Sequence, residues 1–233
     1  MKIGILNTDA LKPEFVAVYG EYPDMFAKLL LAVDPKLELV TYEILRDEYP
    51  QDINEVDGYV ITGSKLSVYD DVPWINKLKS FVRELHAAKK KTVGICFGHQ
   101  LIAEALGGKT AQAEQGWCVG VQTTTFTGDA SRFGTAGSAF QLISNHKDQV
   151  QELPEGGTLL ASTESCPMAM TSIGNHILSF QGHPEFSKEY ARALLDMRRE
   201  IFGESVYQAA VDSLQQRDNS EQVANWILEF IAD

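Results

Sequence analysis

Apolar and polar positions fall in blocks along this chain, and the period of the blocks changes from one to the next. KIGILN (Lys2–Asn7) is a short apolar run with a polar end, which predicts a buried first strand whose carboxyl end carries polar chemistry. Phe26, Leu29, Leu30 and Val33 recur on one helical face of residues 22–33, and residues 37–45 alternate as a strand. GYVITG, residues 58–63, reads as another strand. Trp74, Leu78, Phe81, Val82 and Leu85 then repeat at helical spacing, a strand follows at residues 92–95, and residues 100–106 continue as helix until Gly107 and Gly108 stop it. This β, α, β, β, α, β, α alternation predicts an α/β fold with an open, mostly parallel sheet covered on both faces.

From residue 117 to residue 180 the texture changes to short strands separated by Gly, Thr and Ser turns, which predicts β hairpins added to the parallel core. From Ser187 onward the pattern is helical again. Ser220 is expected to cap a final helix whose Val223, Trp226, Ile227, Phe230 and Ile231 form one apolar stripe, a cover for the chain's own core. There is no internal repeat, linker or low-complexity segment, so one domain is expected over residues 1–233.

Charge narrows the classes of partner. Against 32 Asp and Glu stand 20 Lys and Arg, a net charge of -12, so a phosphate backbone is repelled and no nucleic-acid partner is expected. The one basic run, Lys89 to Lys91, reads as the solvated end of a helix. The first residues are interrupted by Asn7 and Asp9 before a signal sequence's apolar region is complete, and no run approaches the length of a membrane span. Three cysteines, Cys96, Cys118 and Cys166, form no metal-like pairing and leave an odd count, which suits a reducing cytoplasm. Cys118 and Cys166 read as small buried hydrophobes.

Cys96 reads differently. Strand, then G-x-C-x-G, then helix is the arrangement of a nucleophile elbow, in which a sharp turn pushes the reactive side chain out of the sheet edge. Gly94 and Gly98 are needed because side chains there collide with the turn. The following helix start favours thiolate over thiol. On this segment alone, a structural cysteine in a tight turn fits as well. A nucleophilic thiol also needs a base and a group to orient that base. HILSFQGHPE, residues 176–185, supplies both at a strand end, where His183 and Glu185 lie two apart and project to one side around Pro184. Read alone, His-Pro-Glu is an ordinary surface turn. Paired with the elbow it becomes a triad, with Cys96 attacking, His183 moving the proton and Glu185 holding the imidazole tautomer.

GICFGHQ and QGHPE, in this order, resemble the two signatures of the class I, triad-type glutamine amidotransferases, and the likeness is greatest to stand-alone members described as GMP-synthase-like, which also resemble plant γ-glutamyl peptidases. ITGSKLSVYDD, residues 61–71, resembles the family's oxyanion loop, and GWCVGV, residues 116–121, its substrate-side strand. The resemblance spans nearly the whole chain before the helical tail. It implies a flavodoxin-like sheet, no cofactor and no metal. It further implies that the backbone N–H groups of Gly63 and Phe97 hold the oxyanion, and that Gln100, with main chain near Gly116 and Trp117, lines the glutamine pocket. One departure is visible: many members carry Gly-Gly-Pro in the oxyanion loop, where this chain has Thr62, Gly63 and Ser64.

Other signals are weaker. Gly108, Lys109 and Thr110 mimic the end of a phosphate loop, but Ala103 stands where its first glycine belongs. Cys96, His99, His183 and Glu185 can be written as a zinc set, yet the elbow glycines have no place in it. His146 and Asp148 read as loop polar groups, with a partner contact the lesser reading, and His86 and His176 as satisfying local contacts. Three functions follow: a glutaminase whose ammonia is passed to a separate synthetase subunit for use, a stand-alone γ-glutamyl peptidase acting on small molecules, and a non-catalytic binding module, which the intact triad disfavours.

Overall fold

In a computed structural model, which describes residues 1–127, 130 and 132–233, KIGILN is strand β1 (Lys2–Asn7), next to the edge strand of a nine-stranded sheet. β2 (Glu38–Glu43) and β3 (Gly58–Ile61) pair with it in parallel on either side, and β4 (Lys91–Ile95) pairs in parallel with β3. The connections are helical. α1 (Pro13–Tyr19) and α2 (Tyr22–Val33) follow β1, α3 (Pro73–Ala87) precedes β4, and α4 (Phe97–Ala105) follows it.

Alternation along the central strands sends side chains to two cores. Ile3, Ile5, Val60 and Val93 pack with Phe26 and Leu30 of α2 and with the closing helix α8 (Ser220–Ala232). Leu6, Tyr59 and Ile61 face the other way, against Leu78 and Val82 of α3 and Leu101 of α4. Each fully buried aliphatic or aromatic side chain of this kind contributes about 1.5–3 kcal/mol, so both faces of the sheet are held by their helices. Among the described residues no helix is long and apolar enough to cross a membrane.

The hairpin region extends this same sheet. After β5 (Lys109–Gln112) come β6 (Cys118–Phe126), β7 (Ala139–His146), β8 (Asp148–Glu152), β9 (Gly157–Ser162), β10 (Met170–Ile173) and β11 (Ile177–Phe180). The full order is β2-β1-β3-β4-β11-β10-β9-β6-β7, with β11 parallel to β4 and the pairs beyond it antiparallel; β5 and β8 form a separate two-stranded ribbon. The tail supplies α5 (Lys188–Met197), α6 (Arg199–Phe202) and α7 (Glu204–Ser213) before α8.

Several expectations are corrected. The alternating segment 37–45 stays a strand only to Glu43, because Ile44–Arg46 turn as a 3-10 helix that ends on left-handed Asp47. Lys89 to Lys91 lie beyond the helix: α3 ends at Ala87, Lys89 is left-handed, and Lys91 opens β4 with its Nζ donating to the Asn175 carbonyl at 2.7 Å. Ser220 is the first helical residue and not the cap, its hydroxyl buried without a partner. The cap position falls to Asn219, whose Oδ1 accepts from the Gln141 amide. Helix α1 is not expected from the pattern; its seven residues fully bury no side chain, and only Phe15 and Tyr19 pack, half-buried, against Tyr190.

Candidate active site

β4 ends at Ile95 and α4 begins at Phe97, so Cys96 alone makes the turn between them, at φ 51° and ψ -99°. A residue with a Cβ holds a positive φ only where its surroundings over-determine it. Here the Cys96 amide donates to the Phe180 carbonyl at 2.8 Å, and its own carbonyl accepts from Gln100 at 3.1 Å. The flanking glycines answer to packing. A Cβ on Gly94 would lie 2.6 Å from the Gly98 main chain, and one on Gly98 would lie 2.5 Å from the Ile61 carbonyl. Side chains at either position would therefore push α4 off β4 and β3 and dissolve the turn. At the start of α4 the amides of Phe97 and Gly98 have no helical acceptor, and the helix dipole favours negative charge beside them.

β11 runs parallel beside β4, Phe180 opposite Ile95, so the chain that continues from β11 passes next to Cys96. The His183 amide donates to the Ile143 carbonyl at 2.8 Å, which pins this segment to β7. His183 Nδ1 lies 2.7 Å from Glu185 Oε1, and both side chains are buried. The imidazole stacks on Phe186 with ring centroids 3.8 Å apart, and a Cβ on Gly63 would sit 3.0 Å from its Cε1. The ring is thus held between an aromatic face and bare backbone. Burial disfavours the imidazolium, but Glu185, Cys96 and the side-chain hydrogen bonds to both outweigh it and raise the His183 pKa above its ordinary value. With Nδ1 committed to a carboxylate, Nε2 is left for the sulfur, and the pair can take and hold a thiol proton.

Gly63 is fixed from β1. Thr8 Oγ1 donates to the Gly63 carbonyl at 2.9 Å, and the Thr8 amide donates to Thr62 Oγ1 at 3.0 Å. Next along, Asp9 accepts from both the Lys65 amide and the Lys65 ammonium at 2.8 Å. Sequence reasoning gave neither Thr8 nor Asp9 a place in the site, although the polar end of KIGILN was the signal for them. Asp9, Gly63, Cys96 and His183 therefore follow the ends of four neighbouring parallel strands, which is where open α/β sheets bind ligands.

Cys96 and His183 open into a cavity of about 420 Å³. Gln100, Ser64 and Trp117 line it. Gly116 is not on its wall: with φ 82° it closes a turn onto the Ala113 carbonyl and so delivers Trp117. Gly63 and Phe97 give the wall no side chain, the Phe97 ring packing against Trp74 in the core. His146 and Asp148 are corrected from loop groups to strand ends on this wall. His146 Nδ1 bonds the Asp148 carbonyl at 3.0 Å, its Nε2 is buried without a partner, and burial lowers its pKa to about 3. His99, one member of the zinc set written from the sequence, bonds Ser179 at 2.7 Å and is lowered by burial to about 4. Two further wall residues carried no sequence signal. Tyr190 and Arg198 lie on one face of the α5 segment, and Arg198 donates to Asn145 at 3.2 Å with its guanidinium 5.4 Å from the Trp117 ring centre. Cys118 and Cys166 are buried as expected, and burial raises both thiols, Cys166 to about 12.

The architecture has solved counterparts. The structure of a glutamine amido transferase from Methylobacillus flagellatus has the same fold, with a TM-score of 0.76 at 21% identity over 98% of this chain and 91% of that one. Gamma-glutamyl peptidase 3 of Arabidopsis thaliana is 37% identical over 192 residues, 78% of this chain and 76% of that protein. One component of the glutamine-hydrolysing GMP synthase of Sulfolobus acidocaldarius is 29% identical over 167 residues, 71% of this chain and 85% of that protein. Residues 16–197 match the family model described as glutamine amidotransferase class-I. By that match, and by the elbow and His-Glu pair that fall within it, the chain belongs to the class I glutamine amidotransferase family of cysteine-dependent hydrolytic enzymes.

Proposed function

We propose that the protein hydrolyses γ-glutamyl amides through a Cys96 thioester. The observation that carries the reading is Cys96 on its left-handed turn beside a buried imidazole bonded to Glu185 at 2.7 Å. Cys96 Sγ attacks the γ-carbonyl as His183 takes its proton, and the Gly63 and Phe97 amides stabilise the oxyanion. His183 returns that proton to the leaving nitrogen, the C–N bond breaks, and a γ-glutamyl thioester remains. Water, deprotonated by His183, then attacks the thioester and releases glutamate and the thiol. Gln100 and the Trp117 segment hold the γ-glutamyl half. Three free cysteines support a reducing, cytoplasmic setting.

The leaving group separates two readings. If it is ammonia, the substrate is glutamine and a partner synthetase consumes the product, as family membership suggests. A second observation favours a larger leaving group. The cavity of about 420 Å³ is of the size that takes drug-like ligands. Arg198 and Lys147 stand on its wall with no carboxylate at ion-pair distance among the described residues, in a chain of net charge -12. Two unpaired cations at a cavity wall suit two substrate carboxylates: glutamine brings only its α-carboxylate, and a γ-glutamyl peptide brings a second on its leaving half. We therefore place γ-glutamyl peptide hydrolysis first.

Glutamate release from glutamine and from γ-glutamyl dipeptides tests this, with Cys96→Ala as the silent control. Faster turnover of the dipeptides is expected. Arg198→Met should then lower kcat/KM for a dipeptide acid about tenfold, through KM, and far less for the corresponding dipeptide amide. Glutamine as the better substrate, hydrolysed fast only in the presence of a partner synthetase, reverses the order.

A further inference from the structure

Gln181, the residue that opens the QGHPE turn, is 1% exposed, and its carboxamide lies between two other groups. Its Oε1 is 3.1 Å from Gln100 Nε2, and its Nε2 is 3.6 Å from Cys96 Sγ, within hydrogen-bond reach of sulfur. Gln100 Nε2 also stands 2.7 Å from the main-chain carbonyl of Asp148.

A carboxamide taken alone can be turned either way. This row has a fixed end. The Asp148 carbonyl can only accept, so the Gln100 group facing it is the NH2. The second proton of that NH2 meets Gln181, which therefore presents oxygen there and turns its own NH2 onto the sulfur. Asp148 is held in turn, since its side chain accepts from the Ser67 hydroxyl and its carbonyl from His146. A donor aimed at sulfur favours thiolate over thiol, and the effect is large where water is excluded.

We infer that Gln181 is a positioning residue for the nucleophile: it donates to Cys96 Sγ, and Gln100 and the Asp148 carbonyl set the direction of that donation. Sγ is then served by two groups, His183 to remove its proton and Gln181 to stabilise the anion left behind. Gln100 has spent both N–H groups on protein and offers the cavity only its Oε1. Its part in substrate binding is therefore to accept a hydrogen bond from a substrate N–H, and it cannot donate to a substrate carboxylate.

The inference rests on Cys96 acting as the nucleophile, and the test separates the two. The rate of iodoacetamide alkylation is followed against pH in the full chain for wild type, Gln181→Met and Gln181→Glu, and read at each cysteine by peptide mass spectrometry. Losing the donor in Gln181→Met should raise the midpoint for Cys96 by about one pH unit, a tenfold slower reaction below both midpoints. Gln181→Glu, nearly identical in shape, places a carboxylate where the donor was and should raise it further. Thermal unfolding identifies the folded variants, and Gln181→Glu carries the decision if Gln181→Met does not fold. An unmoved midpoint in a folded variant overturns the inference while leaving Cys96 as nucleophile. Wild-type Cys96 reacting no faster than Cys118 and Cys166 sinks the hydrolase reading itself.

Discussion

Two buried histidines stand near opposite ends of the parallel strands, and although desolvation lowers the pKa of both, they end with opposite tendencies. His183 follows the carboxyl end of β11, His176 precedes its amino end, and each is 3% exposed. Burial alone lowers a histidine pKa. At the carboxyl end Glu185 lies 2.7 Å from Nδ1, and the imidazolium is favoured over the neutral ring. At the amino end the neighbour is a neutral ring, His86, 3.0 Å away, with Lys89 and Lys91 near, and His176 is driven down to about 4 by burial first and those charges second. Partner charge, and not depth, decides whether a buried histidine can hold a proton. The histidine at the carboxyl end can therefore hold a proton, and the one at the amino end stays neutral.

Removing the partner at the active end should have the largest effect. In Glu185→Gln the imidazole loses the carboxylate that both orients and charges it, so kcat/KM for γ-glutamyl amides should fall about 10³–10⁴-fold. The His183 titration, followed by NMR, should move downward, toward the behaviour of His176. A histidine titration that stays raised in that variant breaks the comparison, because another group must then supply the charge.

Steric displacement of the same ring should cost less. A Cβ on Gly63 lies 3.0 Å from His183 Cε1 and the far side is closed by Phe186, so Gly63→Ala must shift the ring by a few tenths of an ångström. We expect kcat to fall about 10–100-fold with the titration of His183 little changed, since its carboxylate remains. Stopped activity together with a lowered titration would mean that the loop sets charge as well as position.

The amino end gives the smallest effect, and it appears in stability. The folded pKa of His176 lies below the ordinary 6.5, so between pH 6.5 and about 4 the unfolded chain binds more protons than the folded one. Its contribution is complete above pH 6.5 and is lost as pH falls toward 4. His176→Asn should therefore cost about 1 kcal/mol at pH 7, roughly 2–4 °C in Tm, and the gap from wild type should narrow by pH 5. A gap that widens on acidification contradicts the sign.

Much of this was legible in one dimension. KIGILN, the Phe26 to Val33 stripe, the Trp74 to Leu85 stripe and the Val223 to Ile231 stripe each declare a strand or helix, because local period and burial of one face are properties of a short segment. G-x-C-x-G and His-Pro-Glu are equally local as patterns, each a few residues long, although the strands beside them hold their geometry. What the segments do not contain is their pairing. The hairpin texture gave no sign that β11 runs parallel beside β4, yet that register brings Gln181 to Cys96 from 85 positions away and seats His183 between Gly63 and Phe186. Strand partners are chosen by how the whole set of apolar faces packs, which no single segment specifies. The same limit hid the site roles of Asp9 and Arg198 and the direction of two carboxamides: Gln100 and Gln181 have the same side chain in the sequence, and only a distant main-chain carbonyl, that of Asp148, turns the Gln100 NH2 toward itself and Gln181 and so the Gln181 NH2 toward the sulfur.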